Sequence, residues 1–208
     1  MSETPWPGPR DTGPGRRAVV KLVLGVGLGL SVGGLAVGQD ADPARGGDPR
    51  TARPQPRDHF VIARGDRKGQ VVTLADLPAG GSPVIAYPMD PESRIVRDDS
   101  RLNQILIVRL LTSSEVGADT RARAADRTVV AYSAVCTHTG CDVWDWQPAS
   151  STIRCPCHFS EFDLRDSARV LNGPARRRLP ALPLAVVDET PVAAGGFVGR
   201  PGFEPGGG

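Results

Sequence analysis

From residue 59 onward the chain alternates short runs of β-branched and other apolar residues with clusters of Gly, Pro, Asp and Ser. Residues 60–63, 70–74, 84–87, 105–111, 128–132, 168–171 and 184–187 each have the length and composition of a strand, and the residues between them favour turns. The stretch 116–127 is polar and charged with no sustained apolar face, which predicts a loop or a short surface helix. Pro180 and Pro183 break the chain ahead of the last run. No internal repeat is visible. Many short strands separated by turn residues predict an all-β antiparallel sandwich or barrel over residues 58–200.

The pattern is different before residue 58. Residues 1–15 are polar and rich in Pro and Gly, with nothing periodic to bury, and read as a disordered N-terminus. Arg16, Arg17 and Lys21 then lead into 17 uncharged residues, 22–38, dominated by Gly, Leu and Val. This predicts one apolar helix, and residues 16–38 resemble a twin-arginine export signal. Basic Arg10, Arg16, Arg17 and Lys21 precede the apolar stretch and Asp40 and Asp42 follow it, which leaves the N-terminus cytoplasmic and sends the domain to the periplasmic or extracytoplasmic face. The stretch falls between a signal-peptide core and a span of about 20 residues. Ala36-Val37-Gly38 offers a small-residue cleavage site, and the reading adopted is a retained single-pass membrane anchor. Residues 39–57 read as a solvated flexible linker and 201–208 as a Gly/Pro tail.

Composition narrows the function classes. The net charge is +2, with 25 basic against 23 acidic side chains, which gives no electrostatic case for a nucleic-acid partner. All four cysteines lie between Cys136 and Cys157, so they serve one local site rather than staple the whole chain. Two of the three histidines join them, and His59, at the start of a strand, reads as a structural residue. No catalytic base or second metal site is identifiable, so the chain is not an enzyme on its own.

The chemistry is concentrated in Cys136-Thr137-His138-Thr139-Gly140-Cys141 and Cys155-Pro156-Cys157-His158-Phe159-Ser160, with 16 residues between His138 and Cys155. Each half offers one thiolate and one imidazole, so two loops can close on a metal centre from opposite sides. Taken alone, two cysteines and two histidines also suit zinc, and a non-redox zinc module is the alternative from a different class. The C-x-H…C-x-x-H arrangement resembles the Rieske family, and the additional Cys141 and Cys157 resemble its respiratory, disulfide-containing branch. The zinc reading leaves those two cysteines as surplus thiols.

The resemblance implies a [2Fe-2S] cluster in which Cys136 and Cys155 bind one iron, His138 and His158 bind the other, and Cys141 pairs with Cys157 in a disulfide. It also implies a Rieske-type fold with an inserted cluster-binding subdomain at about residues 133–176. Two neutral imidazoles in place of two thiolates make such a centre less negative and easier to reduce, with reduction coupled to proton uptake at alkaline pH. Ser160 resembles the family serine that donates a hydrogen bond to a bridging sulfide, and Gly173-Pro174 resembles the loop that covers the cluster. Phe162 and Phe159 stand where quinol-oxidising members commonly carry Tyr and Gly. The missing phenol predicts a potential below that of high-potential members. Arg176, Arg177 and Arg178 form a basic patch suited to steering an acidic partner.

The motif text at 155–163, the lead-in at 129–133, the stretch 77–80 and the twin-arginine signal together look like arsenite oxidase small subunits. That resemblance implies an electron-relay subunit beside a larger molybdenum oxidase subunit, passing electrons to a soluble acceptor such as cytochrome c. The second reading is the quinol-oxidising Rieske subunit of a cytochrome bc complex, beside cytochrome b and c1 partners.

Overall fold

The computed structural model describes residues 47–112 and 116–204. The N-terminal segment 1–15, the apolar stretch with Arg16 and Arg17, and linker residues 39–46 lie outside them. Among the described residues no helix is long and apolar enough to cross a membrane.

The described residues build eleven strands in two antiparallel sheets. The larger is seven-stranded, in the order β10-β11-β1-β2-β3-β4-β9, from β1 (His59–Ile62), β2 (Val84–Met89), β3 (Ile105–Arg109), β4 (Val129–Ser133), β9 (Ala181–Leu182), β10 (Leu184–Val187) and β11 (Thr190–Ala193). The smaller holds β5 (Asp145–Gln147), β6 (Thr152–Arg154), β7 (Glu161–Asp163) and β8 (Arg169–Asn172), in that order. It lies in the chain between β4 and β9, so a small sheet is inserted into a β body. The polar stretch after β3 forms the short helix α1 (Ala118–Arg123).

The continuous apolar run of β3 has a direct structural cause. Ile105 and Ile107 enter one hydrophobic cluster with Phe60, Val72 and Leu77, whereas Leu106 and Val108 enter the other with Ile153, Phe162 and Leu164. Side chains alternate across a strand, so a strand covered on both faces must be apolar throughout. β4 divides in the same way, with Val129 and Ala131 on one side and Val130 and Tyr132 on the other. The second cluster also contains Cys136 and Cys155, so one packed core joins the larger sheet to the small one.

Two polar anchors, one buried and one half-buried, fix the inserted sheet to the body. Tyr132 donates its hydroxyl to the Leu164 carbonyl at 2.9 Å, and Trp146 Nε1 donates to the Gly80 carbonyl at 3.2 Å. Burial pushes the Tyr132 phenol up to about 12. The unfolded phenol ionises near 10 while the folded one stays neutral, so this residue lowers stability as pH rises from about 10 to 12, by ~2–3 kcal/mol in all. Tyr132→Phe is expected to remove that alkaline loss and to lower stability at neutral pH by about 1–2 kcal/mol, because the Leu164 carbonyl loses its donor. Urea titrations at neutral and alkaline pH check both; an unchanged alkaline slope would refute the assignment.

Two segments ahead of the cysteine motif differ from the pattern-based expectation. Residues 70–74 do not form a strand: Val72 donates to Phe60 O and Ile62 to Gln70 O, leaving one bridge between Val61 and Val71. On the same edge of β1, Val192 of β11 pairs with His59, so the edge is divided between two segments. Asp76 then accepts from the Thr73 amide and hydroxyl and turns the chain into a 3-10 helix at Leu74–Asp76. Residues 48–57, read as part of a solvated linker, instead lie along the body. Arg97 donates to Pro49 O, Asn103 to Ala52 O, and Arg50 pairs with Asp98. Side chains distant in sequence order this polar segment, and local composition carries no signal for them.

Candidate metal centre

The two halves of the motif fold into loops of one design. In the first, the Cys136 amide donates to Cys141 O at 2.8 Å and the Gly140 amide to Cys136 O at 3.0 Å. In the second, the Cys155 amide donates to Ser160 O at 2.9 Å and the Phe159 amide to Cys155 O at 2.9 Å. Each loop therefore opens on a cysteine and returns through its fifth residue in a left-handed conformation, at φ 83° for Gly140 and 59° for Phe159. Glycine takes that conformation freely, whereas phenylalanine is strained in it. The Arg154 guanidinium stands 5.7 Å over the Phe159 ring and is itself paired with Asp145 across the β5–β6 ladder.

Geometry brings the expected residues together. Cys136 and Cys155 are buried free thiols, and the rings of His138 and His158 meet edge to face with centroids 4.6 Å apart. His138 is half-buried and His158 exposed. A disulfide joins Cys141 to Cys157 and so ties the two loops to each other. The sulfurs of Cys141, Cys155 and Cys157 lie within 4.8 Å of one another, but the disulfide uses two of them and leaves Cys155 as the thiol of that group.

The donor set fits a metal cofactor on three observations. Burial pushes the Cys136 thiol up to about 11 and the adjacent Cys155 adds to this, while the amides of His138 and Thr139 oppose it. A buried thiolate is thus unfavourable here unless a cation neutralises it. His138 Nδ1 is shielded from solvent and has no hydrogen-bond partner among the described residues, which wastes a polar atom unless it serves as a ligand. The donors are two sulfurs and two imidazoles, one of each kind per loop, as a mixed-ligand iron-sulfur centre requires.

The surroundings hold these loops closely. Ser160 is wholly buried, and its Oγ accepts the Ala175 amide at 3.0 Å, which leaves the hydroxyl proton to donate elsewhere. Gly173, at φ 87°, passes so near that an added Cβ would stand 2.5 Å from Ser160 Cα. Pro174 is exposed at the outer side of that loop, and Phe162 is fully buried in the core beneath. Sequence reading missed three supports. Thr137 Oγ1 donates to Arg177 O at 2.6 Å, Arg101 reaches Gly140 O at 3.1 Å and Asp142 at 2.6 Å, and Arg177 grips the C-terminal stretch. Thr137 lies inside the motif and Arg177 in the basic run, but their partners are the Arg177, Arg200 and Gly202 carbonyls, as Gly140 O is for Arg101, and no side-chain pattern reveals a main-chain acceptor.

An inserted small sheet carrying two Cys/His loops, clamped by a disulfide, presents the donor set that an iron-sulfur centre of mixed sulfur and nitrogen ligation uses. Residues 86–183 match the Rieske [2Fe-2S] domain family, and the chain contains a Rieske domain whose resident cofactor is a [2Fe-2S] cluster. The cytochrome bc1 complex Rieske iron-sulfur subunit of Streptomyces lividans is 49% identical over 61 residues, covering 29% of this chain and 36% of that protein. A proposed respiratory nitrate reductase Rieske subunit of Haloferax mediterranei is 49% identical over 78 residues, 37% of this chain and 34% of that one. The chain thus spans about a third of the length of these curated relatives. Among solved structures, the plasma membrane Rieske protein of Synechocystis PCC 6803 aligns with TM-score 0.38 at 26% identity, over 58% of this chain and 93% of that one.

Proposed function

We propose that Cys136 and Cys155 bind one iron and His138 and His158 the other, and that the chain relays single electrons as a subunit of a larger respiratory redox complex. The observation that carries this reading is the pairing of two buried free thiols with two imidazoles, one of them with an orphaned buried nitrogen, on loops of matching backbone design. The cluster supplies a one-electron carrier of raised potential. The protein's part is to exclude water with the Gly173-Pro174 loop, to hold the two ligand loops together through Cys141 and Cys157, and to aim the Ser160 hydroxyl. His158, exposed beside Phe159, is the ligand nearest a docking partner.

The basic residues Arg16 and Arg17 before the apolar stretch support twin-arginine export and a domain at the periplasmic face, held by a single-pass anchor. A disulfide between the loops suits that oxidising compartment. Buried Phe162 and left-handed Phe159, in place of the Tyr and Gly of quinol-oxidising members, support an arsenite-oxidase-like relay beside a molybdenum subunit, with cytochrome c as acceptor. The cytochrome bc1 names of several relatives favour the second reading, quinol oxidation beside cytochrome b. Reduction by added quinol, sensitive to inhibitors of the bc quinol site, would select the second; copurification of a molybdenum subunit would select the first.

The ligand assignment predicts that dithionite-reduced protein gives a Rieske-type paramagnetic resonance signal and releases acid-labile sulfide. Cys155→Ser is expected to abolish both. Wild-type protein that binds zinc and gives no such signal would overturn the assignment.

A further inference from the structure

Arg176, Arg177 and Arg178 read in the sequence as a solvated basic patch, but the middle side chain is committed elsewhere. Arg177 Nη1 donates to the Arg200 carbonyl at 3.1 Å and Nη2 to the Gly202 carbonyl at 2.8 Å, with Nε 3.7 Å from the Glu204 carboxylate. The carbonyl of the same residue accepts the Thr137 hydroxyl at 2.6 Å, and Thr137 lies between Cys136 and His138. Arg177 is also two residues beyond Ala175, whose amide holds Ser160 Oγ.

The stretch it grips is seated rather than trailing. Val198 and Ala181 exchange backbone hydrogen bonds at 2.8 and 3.2 Å, and Pro201 and Gly202 are buried. At Gly202, φ 79°, an added Cβ would come within 2.6 Å of Leu102 Cδ2 and 3.8 Å of Val135 Cγ1. Val135 directly precedes Cys136, and Leu102 directly follows Arg101, which holds Gly140 O and Asp142.

We propose that Arg177 is a positioning residue for the cluster site, and that residues 198–204 brace the first ligand loop and the Gly173-Pro174 loop through it. This rests on the ligand assignment above. The two carbonyls gripped by the guanidinium fix the peptide that Thr137 needs as acceptor; without the grip, loop 136–141 loses its fixed neighbour and His138 its shielding. The role is geometric, since the guanidinium engages the Arg200 and Gly202 carbonyls and the Glu204 carboxylate.

The test uses the full chain, loaded with its cluster, as Arg177→Gln, Arg177→Lys, Arg178→Gln, a form ending after Gly199, and that form combined with Arg177→Gln. Bleaching of the cluster absorbance under excess chelator and the resonance spectrum of the reduced protein are the readouts. Arg177→Gln is expected to lose its cluster about 10-fold faster, the scale at which supporting hydrogen bonds act on metal retention, with a broadened spectrum. Arg177→Lys falls between this and the parent, Arg178→Gln matches the parent, and the shortened form adds nothing to Arg177→Gln. Should the shortened form fail to fold, the Gln and Lys variants decide alone. Parental bleaching and spectrum in Arg177→Gln, or multiplying effects of the two changes, overturn the proposal; a parent without any Rieske signal overturns the ligand assignment itself.

Discussion

Gly173→Ala is expected to strip the domain of its cluster and to lower its stability by about 2–5 kcal/mol, the sum of a left-handed backbone penalty and an overpacking penalty. The added Cβ would stand 2.5 Å from Ser160 Cα, 2.7 Å from Ser160 N and 2.9 Å from Phe159 O. Ser160 cannot retreat independently, because its carbonyl accepts the Cys155 amide at 2.9 Å and its hydroxyl accepts the Ala175 amide at 3.0 Å. Any movement that relieves the clash therefore shifts the loop that carries Cys155 and His158. Gly140→Ala is the matched control: it has φ 83° but nothing within 4 Å of its added Cβ. It should lose only about 1–2 kcal/mol and keep its cluster. Iron and labile sulfide per chain, with thermal melts, measure both; a Gly173→Ala protein with parental iron content would refute the close-approach argument.

Arg97→Met is expected to destabilise the domain by about 3–5 kcal/mol, because it leaves a buried carboxylate without its partner. Arg97 Nε and Nη2 hold Asp58 at 2.8 and 3.1 Å, and the two side chains are only 7% and 2% exposed. Arg97 also donates to Pro49 O at 3.2 Å, so its loss frees the strap over residues 48–57 as well as the ion pair. Combining Arg97→Met with Asp58→Asn should recover part of the stability but not the strap. Faster tryptic cleavage after Arg50 and Arg57 in both variants, beside urea titrations, separates the two effects. Equal stability of the single and double variants would contradict the unpaired-charge explanation.

Much of the architecture was legible from local pattern. The runs at 60–63, 84–87, 105–111, 128–132, 168–171 and 184–187 correspond to β1, β2, β3, β4, β8 and β10, because apolar alternation and turn residues act within a few neighbours. Strands β5, β6, β7, β9 and β11 were not legible. β5, β6 and β7 are three residues long and mix Asp, Gln, Arg and Glu with single apolar residues such as Ile153 and Phe162, β9 has only two residues, and β11 carries Pro191. Pairing with neighbours, rather than composition, makes them strands. Pro88 within β2 would have argued against a strand there. It is tolerated because β3 pairs only with Val84, Ile85 and Ala86, so on that side the position lacks a ladder that would need its amide.

The sequence by itself determined the chemistry of the centre: two cysteines, two histidines and a second cysteine pair at a spacing that two loops can close, since ligand type and spacing are covalent facts. Tertiary structure decided what surrounds it. Only folding brought Gly173 against Ser160, placed Arg177 between Thr137 and the C-terminal stretch, and laid residues 48–57 along Arg97 and Asn103. Each of these contacts joins a side chain or bare backbone to a main-chain partner far along the chain. Hydrogen bonds to peptide groups leave no trace in residue type, because every residue offers the same carbonyl.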